Sequence, residues 1–267
     1  LGAVDELKQK FRVRVEIREL LKRVYDIERL LSKVILGSVN GRDMIALKNS
    51  IGQIPYIKNL LESLTAELNV KNHKLLDTLE DIYALIDEAI TEEPPVSIKE
   101  GNIIKTGYHP EVDELRKATT EGRTWVAELE AKERDKTGIK NLKVGFNKVF
   151  GYYIEVTKSY FSLVPQEYIR KQTLANCERF ITQDLKVIED KILGAEEKII
   201  ELEYQLFLEI RNKIASQVNR IKRTAASLAE IDVLCSLSEV ADREDYCMPE
   251  ISADTEIEIK DGRHPVV

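Results

Sequence analysis

The sequence predicts a mainly α protein in which long antiparallel helices carry one small, inserted antiparallel β module. Charged residues make up 33% of the chain and aromatics only 6%, a balance that suits long solvated helices better than a thick sheet protein. Along most of the chain, apolar residues recur at steps of three and four, the spacing that lines one face of a helix. Between residues 142 and 182 that rhythm gives way to short β-branched and aromatic runs, which hold eight of the seventeen aromatics.

Over residues 13–35, Leu20, Val24, Ile27, Leu31 and Val34 fall on one stripe, with Arg18, Lys22, Arg23, Glu28 and Arg29 off it. Gly37 and Ser38-Val39-Asn40-Gly41 end this helix, since Gly and Asn tolerate the left-handed backbone of a helix terminus. A second helix is expected from Arg42 toward Gln53, with a break or kink at Ile54 because Pro55 has no amide hydrogen. Leu76, Leu79, Tyr83, Ile86 and Ile90 predict a third over 72–90, stopped by Pro94-Pro95. Residues 96–109, with Gly101, Asn102 and Gly107 around Ile103-Ile104, read as a brief hairpin or irregular crossing. Helix returns over 110–135. Pro110 suits a first helical position, and Glu111, Asp113 and Glu114 follow where the helix dipole favours negative charge.

Segments 142–149, 152–157, 168–174 and 178–182 are the expected strands. Their charge differs from the rest of the chain. Lys143, Lys148, Lys158, Arg170, Lys171 and Arg179 face Glu155, Glu167 and Glu178, a local net of +3 that leaves −10 elsewhere in a chain of −7. Then Leu185, Ile188, Ile192, Ala195, Ile199, Leu202 and Leu206 alternate steps of three and four without a fault, a coiled-coil seam. Its expected antiparallel partner is the 110–135 helix, because both flank the β module. A helix over 225–241, a polar loop through Met248-Pro249 and a strand-like run Glu256-Ile257-Glu258-Ile259 follow. The expected organisation is a helical part over 1–122, a β-rich part over 123–182, and a helical return over 183–267.

The overall negative charge excludes a generic polyanion binder. Cys177, Cys235 and Cys247 form no C-x-x-C spacing and cannot all pair, a usage that suits a reducing cytosol. No apolar run reaches the roughly 18–20 residues of a membrane span. The first residue is Leu and no signal peptide precedes the helices, so a longer parent chain is expected. No catalytic motif stands out. The phosphate-cradling G-x-x-x-x-G-K-[ST] is absent, and His73, His109 and His264 lack metal-ligand spacing. Most of the many carboxylates are expected on solvated helix faces, and Gly145 and Gly151 in a turn or bulge. What remains is the basic β module. Lys171, Thr173, Asn176 and Arg179 supply, within one short run, the donors that contact phosphate oxygens without reading sequence. An ordinary basic rim on a scaffold whose β tip binds protein is the alternative, and an enzyme using scattered carboxylates a more distant one.

The run Leu142-Lys-Val-Gly-Phe-Asn-Lys-Val-Phe-Gly-Tyr-Tyr-Ile-Glu-Val-Thr157 resembles the clamp entry of the MutS proteins of DNA mismatch repair. So does Tyr168-Ile-Arg-Lys-Gln-Thr-Leu-Ala-Asn-Cys-Glu-Arg-Phe-Ile-Thr182. Tyr25-Asp-Ile-Glu-Arg-Leu30, with Gly37 and Asn40-Gly-Arg-Asp43, is similar to the family's core region. Asp261-Gly-Arg-His-Pro265 is similar to the strand that opens its ATPase domain. The resemblance implies an elongated helical lever domain with an inserted β clamp domain that grips the sugar-phosphate backbone of double-stranded DNA. It implies a parent protein that is a homodimer and a DNA-dependent ATPase using ATP and Mg. Downstream mismatch repair factors are implied as partners, in a bacterial cytoplasm and on the nucleoid when DNA is bound. For this chain it implies no catalysis, no cofactor, no metal and no membrane. Carried across by position, the family's clamp contacts fall on Asn147, Lys171, Asn176 and Arg179. Thr173 belongs with them as a donor, and Lys148 and Lys158 are added on charge alone. Ala175 stands where relatives often carry a basic residue, which removes one expected contact. A clamp also argues against the MutS paralogue branch that lacks one.

Overall fold

The structure is a computed structural model that describes residues 1–147, 149–253 and 255–264. Among these the order is α1 (Gly2–Gln9), α2 (Phe11–Leu21), α3 (Ile27–Leu36), α4 (Gly41–Ile51), α5 (Ile54–Leu61), α6 (Glu67–Leu75), α7 (Glu80–Ala89), α8 (Pro110–Thr137), β1 (Lys143–Asn147), β2 (Gly151–Thr157), a 3₁₀ turn (Lys158–Leu163), β3 (Ile169–Thr173), β4 (Cys177–Ile181), α9 (Gln183–Ser216) and α10 (Val218–Arg243). The chain forms two compact units. One comprises residues 1–24, 53–78 and the chain from Lys222 onward; the other comprises 25–52 and 79–221.

Two helices expected as continuous are each divided. In place of one helix over 13–35, α2 ends at Leu21 and α3 starts at Ile27. Asp26 starts the new helix by taking extended backbone and accepting the Arg29 amide at 2.9 Å, a side-chain N-cap that makes a fresh start favourable. The expected 72–90 helix is likewise α6 and α7, interrupted where Leu79 adopts φ +52°, outside the right-handed helical region. Apolar spacing persists through such breaks, so periodicity alone does not reveal them. The stop and restart between α3 and α4 follow their residue chemistry. Gly37 closes α3 in the left-handed conformation, and Asn40 with Asp43 forms a reciprocal capping box.

In the first unit, Leu7, Ile17, Ile54, Ile57, Leu61 and Ile231 are buried. A buried cation lies among them. Arg14, 1% exposed, reaches Asp242 at 2.6 Å and Glu239 at 3.4 Å and donates to the Leu7 and Ser238 carbonyls. Glu6 accepts from the Asn69 amide (2.9 Å), the Ala66 and Thr65 backbone amides (2.9 and 2.6 Å) and the Thr65 hydroxyl (3.0 Å).

The second unit holds the two long helices, α8 and α9. Arg116 meets Glu203, Arg123 meets Glu196, Trp125 meets Lys191 and Lys132 meets Asp184. Rising numbers on α8 match falling numbers on α9, so the pair is antiparallel. The helices come closest at Gly122, where an added Cβ would lie 2.5 Å from the Ile192 side chain. Glycine is required there by space rather than by backbone conformation. Leu185, Ile192, Ala195 and Leu206 of the predicted seam are buried, while Ile188, Ile199 and Leu202 are only half-buried. Toward its C-terminal end α9 instead buries Glu203, Phe207, Ile210 and Ile214, because there α3 and α7 also pack on it. The crossing segment expected over 96–109 makes a single antiparallel bridge between Ile90 and Ile104.

At the other end of the pair sits the antiparallel sheet, in the order β1-β2-β4-β3. Its inner face is completed by the helices. Leu142, Ile154, Val156, Tyr168 and Phe180 form one buried cluster with Leu129 of α8, Leu185 of α9 and Ile139. The run Glu256–Ile259 forms no strand and has no strand partner among the described residues; Ile257 and Ile259 are largely exposed.

Glu6 gives this architecture a pH dependence. Burial pushes its carboxyl up, but the hydrogen bonds from Asn69, Ala66 and Thr65 outweigh it and bring the pKa down to about 2. A depressed carboxylate stabilises the fold fully above its unfolded value of about 4.3 and loses that contribution as pH falls toward the folded value. Replacing Glu6 by Gln is expected to cost on the order of 2 kcal/mol at neutral pH. Thermal melts of both proteins between pH 7 and pH 2 should show a gap that narrows below about pH 4.3.

Candidate nucleic-acid interface

Since directly opposed residues in an antiparallel pair share a face, the strand register sorts the sheet's side chains. Val144, Tyr152, Ile154, Val156, Glu178 and Phe180 belong to the inner face; Lys143, Gly145, Tyr153, Glu155, Thr157, Cys177 and Arg179 belong to the outer face. The inner face is held by carboxylates of the two long helices. Glu130 accepts the Val144 amide at 2.7 Å, and Glu189 accepts the Tyr152 amide at 2.5 Å. Glu133, 3% exposed, accepts the Tyr168 hydroxyl at 2.6 Å. Burial first, and Glu133 next, push the Tyr168 phenol far above its ordinary value. Glu133, Glu178, Glu189 and Glu203 are all buried, exceptions to the solvated helix faces on which most carboxylates are expected.

The sequence-predicted contact residues are spread along the sheet. Asn147 ends β1 opposite Gly151, and its Oδ1 accepts the Val149 amide at 2.8 Å. This Asx turn, with Gly151 at φ +75°, closes the β1–β2 hairpin and leaves the Asn147 side-chain nitrogen as the group available to a ligand. Lys148, its expected neighbour in the site, lies outside the described residues. Lys171 and Arg179 lie level with Ile154 and Glu155 in the middle of β2, and Lys158, Thr173 and Asn176 lie toward its far end, seven residues and so about 20 Å from Asn147. There the Lys158 amide donates to the Asn176 carbonyl at 3.1 Å, bringing two exposed donors together across the start of the 3₁₀ turn and the β3–β4 loop. Thr173, also exposed, leads into that loop.

Lys171 and Arg179 are placed in contrasting ways. Lys171 is the extra residue of a β-bulge, because the β3–β4 register shifts between Arg170 and Gln172. It is exposed. Arg179 lies half-covered on the outer face. Its Nε donates to Glu155 at 3.1 Å, its Nη1 donates to Gln172 at 3.0 Å, and its guanidinium lies 4.1 Å from the centre of the Tyr153 ring. Tyr153 in turn lies across Gly145, where a Cβ would come within 2.8 Å of the ring. Gly145 is therefore a mid-strand seat for an aromatic ring and not the expected turn or bulge residue. Sequence reasoning singled out neither Tyr153, Glu155 nor Gln172. The alternation of β2 groups the first two on one face, but only the cross-strand register brings them to Arg179.

Comparison with known proteins bears on this module and on the whole chain. Residues 107–198, which take in α8, the sheet and the first half of α9, match MutS family domain IV. All 267 residues align with DNA mismatch repair protein MutS of Acetivibrio thermocellus at 66% identity and of Ruminiclostridium cellulolyticum at 70%. The corresponding protein of Caldanaerobacter subterraneus subsp. tengcongensis is 55% identical over the same span. The chain belongs to the MutS family. It spans about 31% of the length of these relatives. Among the described residues of this MutS-family chain, no helix is long and apolar enough to cross a membrane, and no group of His, Cys, Asp and Glu is arranged to hold a metal ion.

The helix-to-sheet carboxylates make a local stability prediction. Glu189 is buried, caps the Tyr152 amide and pairs with Lys186 at 2.5 Å. Glu189→Ala should leave that amide unsatisfied and lower local stability by about 1–3 kcal/mol. Glu189→Gln, which keeps an acceptor, should cost less. Amide hydrogen exchange at Tyr152 measures both, and Ala exchanging no faster than Gln contradicts the assignment.

Proposed function

We propose that this chain is the lever and clamp part of a DNA mismatch repair recognition protein. The clamp holds double-stranded DNA by its sugar-phosphate backbone, without reading sequence. The antiparallel pair α8 and α9 carries the clamp and couples it to an ATPase domain that this chain does not include. The parent protein acts as a homodimer closing around the duplex, uses ATP and Mg, and engages downstream mismatch repair factors in the bacterial cytoplasm. The observation that carries the reading is the run of exposed donors from the middle of the sheet to one end of it. Lys158 and Asn176 are joined through their backbones, with Thr173 leading into the same loop and Lys171 raised on its bulge. Lysine ammonium, amide and hydroxyl groups contact phosphate oxygens and are indifferent to base identity. The relatives' shared name, DNA mismatch repair protein MutS, supports the choice of ligand.

With two to four phosphate contacts on an otherwise acidic chain, affinity should sit at the weak end of the roughly 10⁻⁴–10⁻⁶ M range of non-specific binding. The log–log salt slope should be about −2 to −4. Homoduplex and mismatched DNA should bind alike. Asn176→Ala should weaken binding with the slope nearly unchanged, because a neutral donor displaces no counterion. Lys158→Ala should flatten the slope by about 0.9. Fluorescence anisotropy titrations at several salt concentrations measure these quantities, and a preference for mismatched DNA would sink the backbone-only reading.

A nucleotide assay tests the division of labour. Without a phosphate-cradling loop, the 267-residue chain should show no Mg-dependent ATP turnover. Turnover abolished by a point substitution within the chain would place an ATPase site here.

A further inference from the structure

Arg179 bears the charge expected of a phosphate contact, yet two of its three guanidinium nitrogens and one of its faces are already engaged. Glu155 takes Nε, Gln172 takes Nη1, and the ring of Tyr153 lies under the guanidinium plane. These partners come from β2 and β3, the strands on either side of β4, so one side chain ties three strands together on the outer face. A guanidinium is suited to this because it is planar, donates in a fixed fork and stacks on aromatic faces. Its charge is offset by Glu155 at 3.1 Å, which weakens its pull on a phosphate.

What this clasp controls is the bulge. The two residues that flank Lys171 are fastened to opposite faces of the sheet. Arg170 pairs at 3.1 Å with Glu178, a buried carboxylate of the inner face, and Gln172 is held by Arg179 on the outer face. In a regular strand, residues two apart share a face; here the extra residue puts them on opposite ones. Bulges re-aim side chains in this way, and the two anchors fix where the bulge sits. We infer that Arg179 is a positioning residue that acts on DNA through Lys171, by pinning Gln172 and so holding the bulge that presents the Lys171 ammonium. The inference rests on the clamp reading above and departs from the family-based expectation that Arg179 touches phosphate itself.

A double-mutant cycle on the 267-residue chain, read by salt-dependent anisotropy with a fluorescent homoduplex, separates the two roles. Lys171→Ala should flatten the log–log slope by about 0.9 and weaken binding roughly three- to ten-fold. Arg179→Gln should do the same in the native background and add nothing in the Lys171→Ala background. Arg179→Lys should behave like Arg179→Gln, since an ammonium retains the charge but neither forks nor stacks. A direct phosphate contact predicts the opposite pattern: a further loss of about 0.9 in slope when both residues are replaced, and recovery of the slope by Arg179→Lys. Either result overturns the inference, as does an Arg179→Gln variant that binds like the native chain. If Arg179→Gln unfolds the sheet by circular dichroism, Gln172→Leu takes its place. It should weaken binding only when Lys171 is present, and a Gln172→Leu variant indistinguishable from the native chain would also overturn the inference. Should Lys171→Ala change neither slope nor affinity, the clamp reading fails at Lys171 itself, an outcome distinct from a direct Arg179 contact.

Discussion

The packing of α8 against α9 is the constraint on which the second unit depends. A helix pair of this length is held together by burial along a narrow seam, and the sequence provides for close approach with Gly122 beneath Ile192. One end of the pair is fixed by electrostatics as well. Glu203, fully buried, accepts from Arg116 at 2.7 Å and from the Ile103 amide at 2.8 Å. Arg116 also donates to the Ile104 carbonyl at 2.7 Å. Removing one partner of such a buried pair is strongly destabilising, whereas the intact pair contributes little net stability. Its effect is to fix which turn of α8 lies against which turn of α9. The 90–104 crossing is tied into the same register.

The β module inherits its stability from that pair. A sheet that is apolar on one face must bury that face against another element, and here Leu129 and Leu185 of the helices complete its core. Glu130, Glu133 and Glu189 bind the sheet's amides and the Tyr168 hydroxyl. The negative charge of the helices is thus partly consumed on the inner side, and Lys143, Lys158, Lys171 and Asn176 remain exposed. This arrangement leaves lysines exposed on the sheet of a chain whose net charge is −7.

The outer face shows how a charge can serve geometry instead of a ligand. Arg179 and Lys171 are neighbours across a strand pair and have the same formal charge, but one is held by an acid, an amide and a ring while the other is left in solvent. Charge sets which residues could attract a polyanion. Engagement by neighbours determines which of them can respond.

The sequence by itself determined the mainly helical class, the place of the β insertion, the four strands and the antiparallel pairing of the helices that flank it. These depend on local composition and on periodicities that a single segment carries: three-to-four steps along α9, β-branched and aromatic runs over the strands, Gly and Asn at the end of α3. It also carried the family, through long uninterrupted motifs. Tertiary structure decided what depends on residues distant in sequence. It divided the 72–90 stripe at a left-handed Leu79, whereas the break in the 13–35 stripe is local, a cap of Asp26 on the Arg29 amide that apolar spacing alone does not show. It buried Glu133, Glu178, Glu189 and Glu203, because a carboxylate looks solvated until the amide or cation it meets is known. It joined Lys158 to Asn176, moved Asn147 to the opposite end of β2, and set Arg179 against Glu155 and Gln172. Each of these depends on strand register, which is a relation between segments, and a shift of one residue would reverse every face.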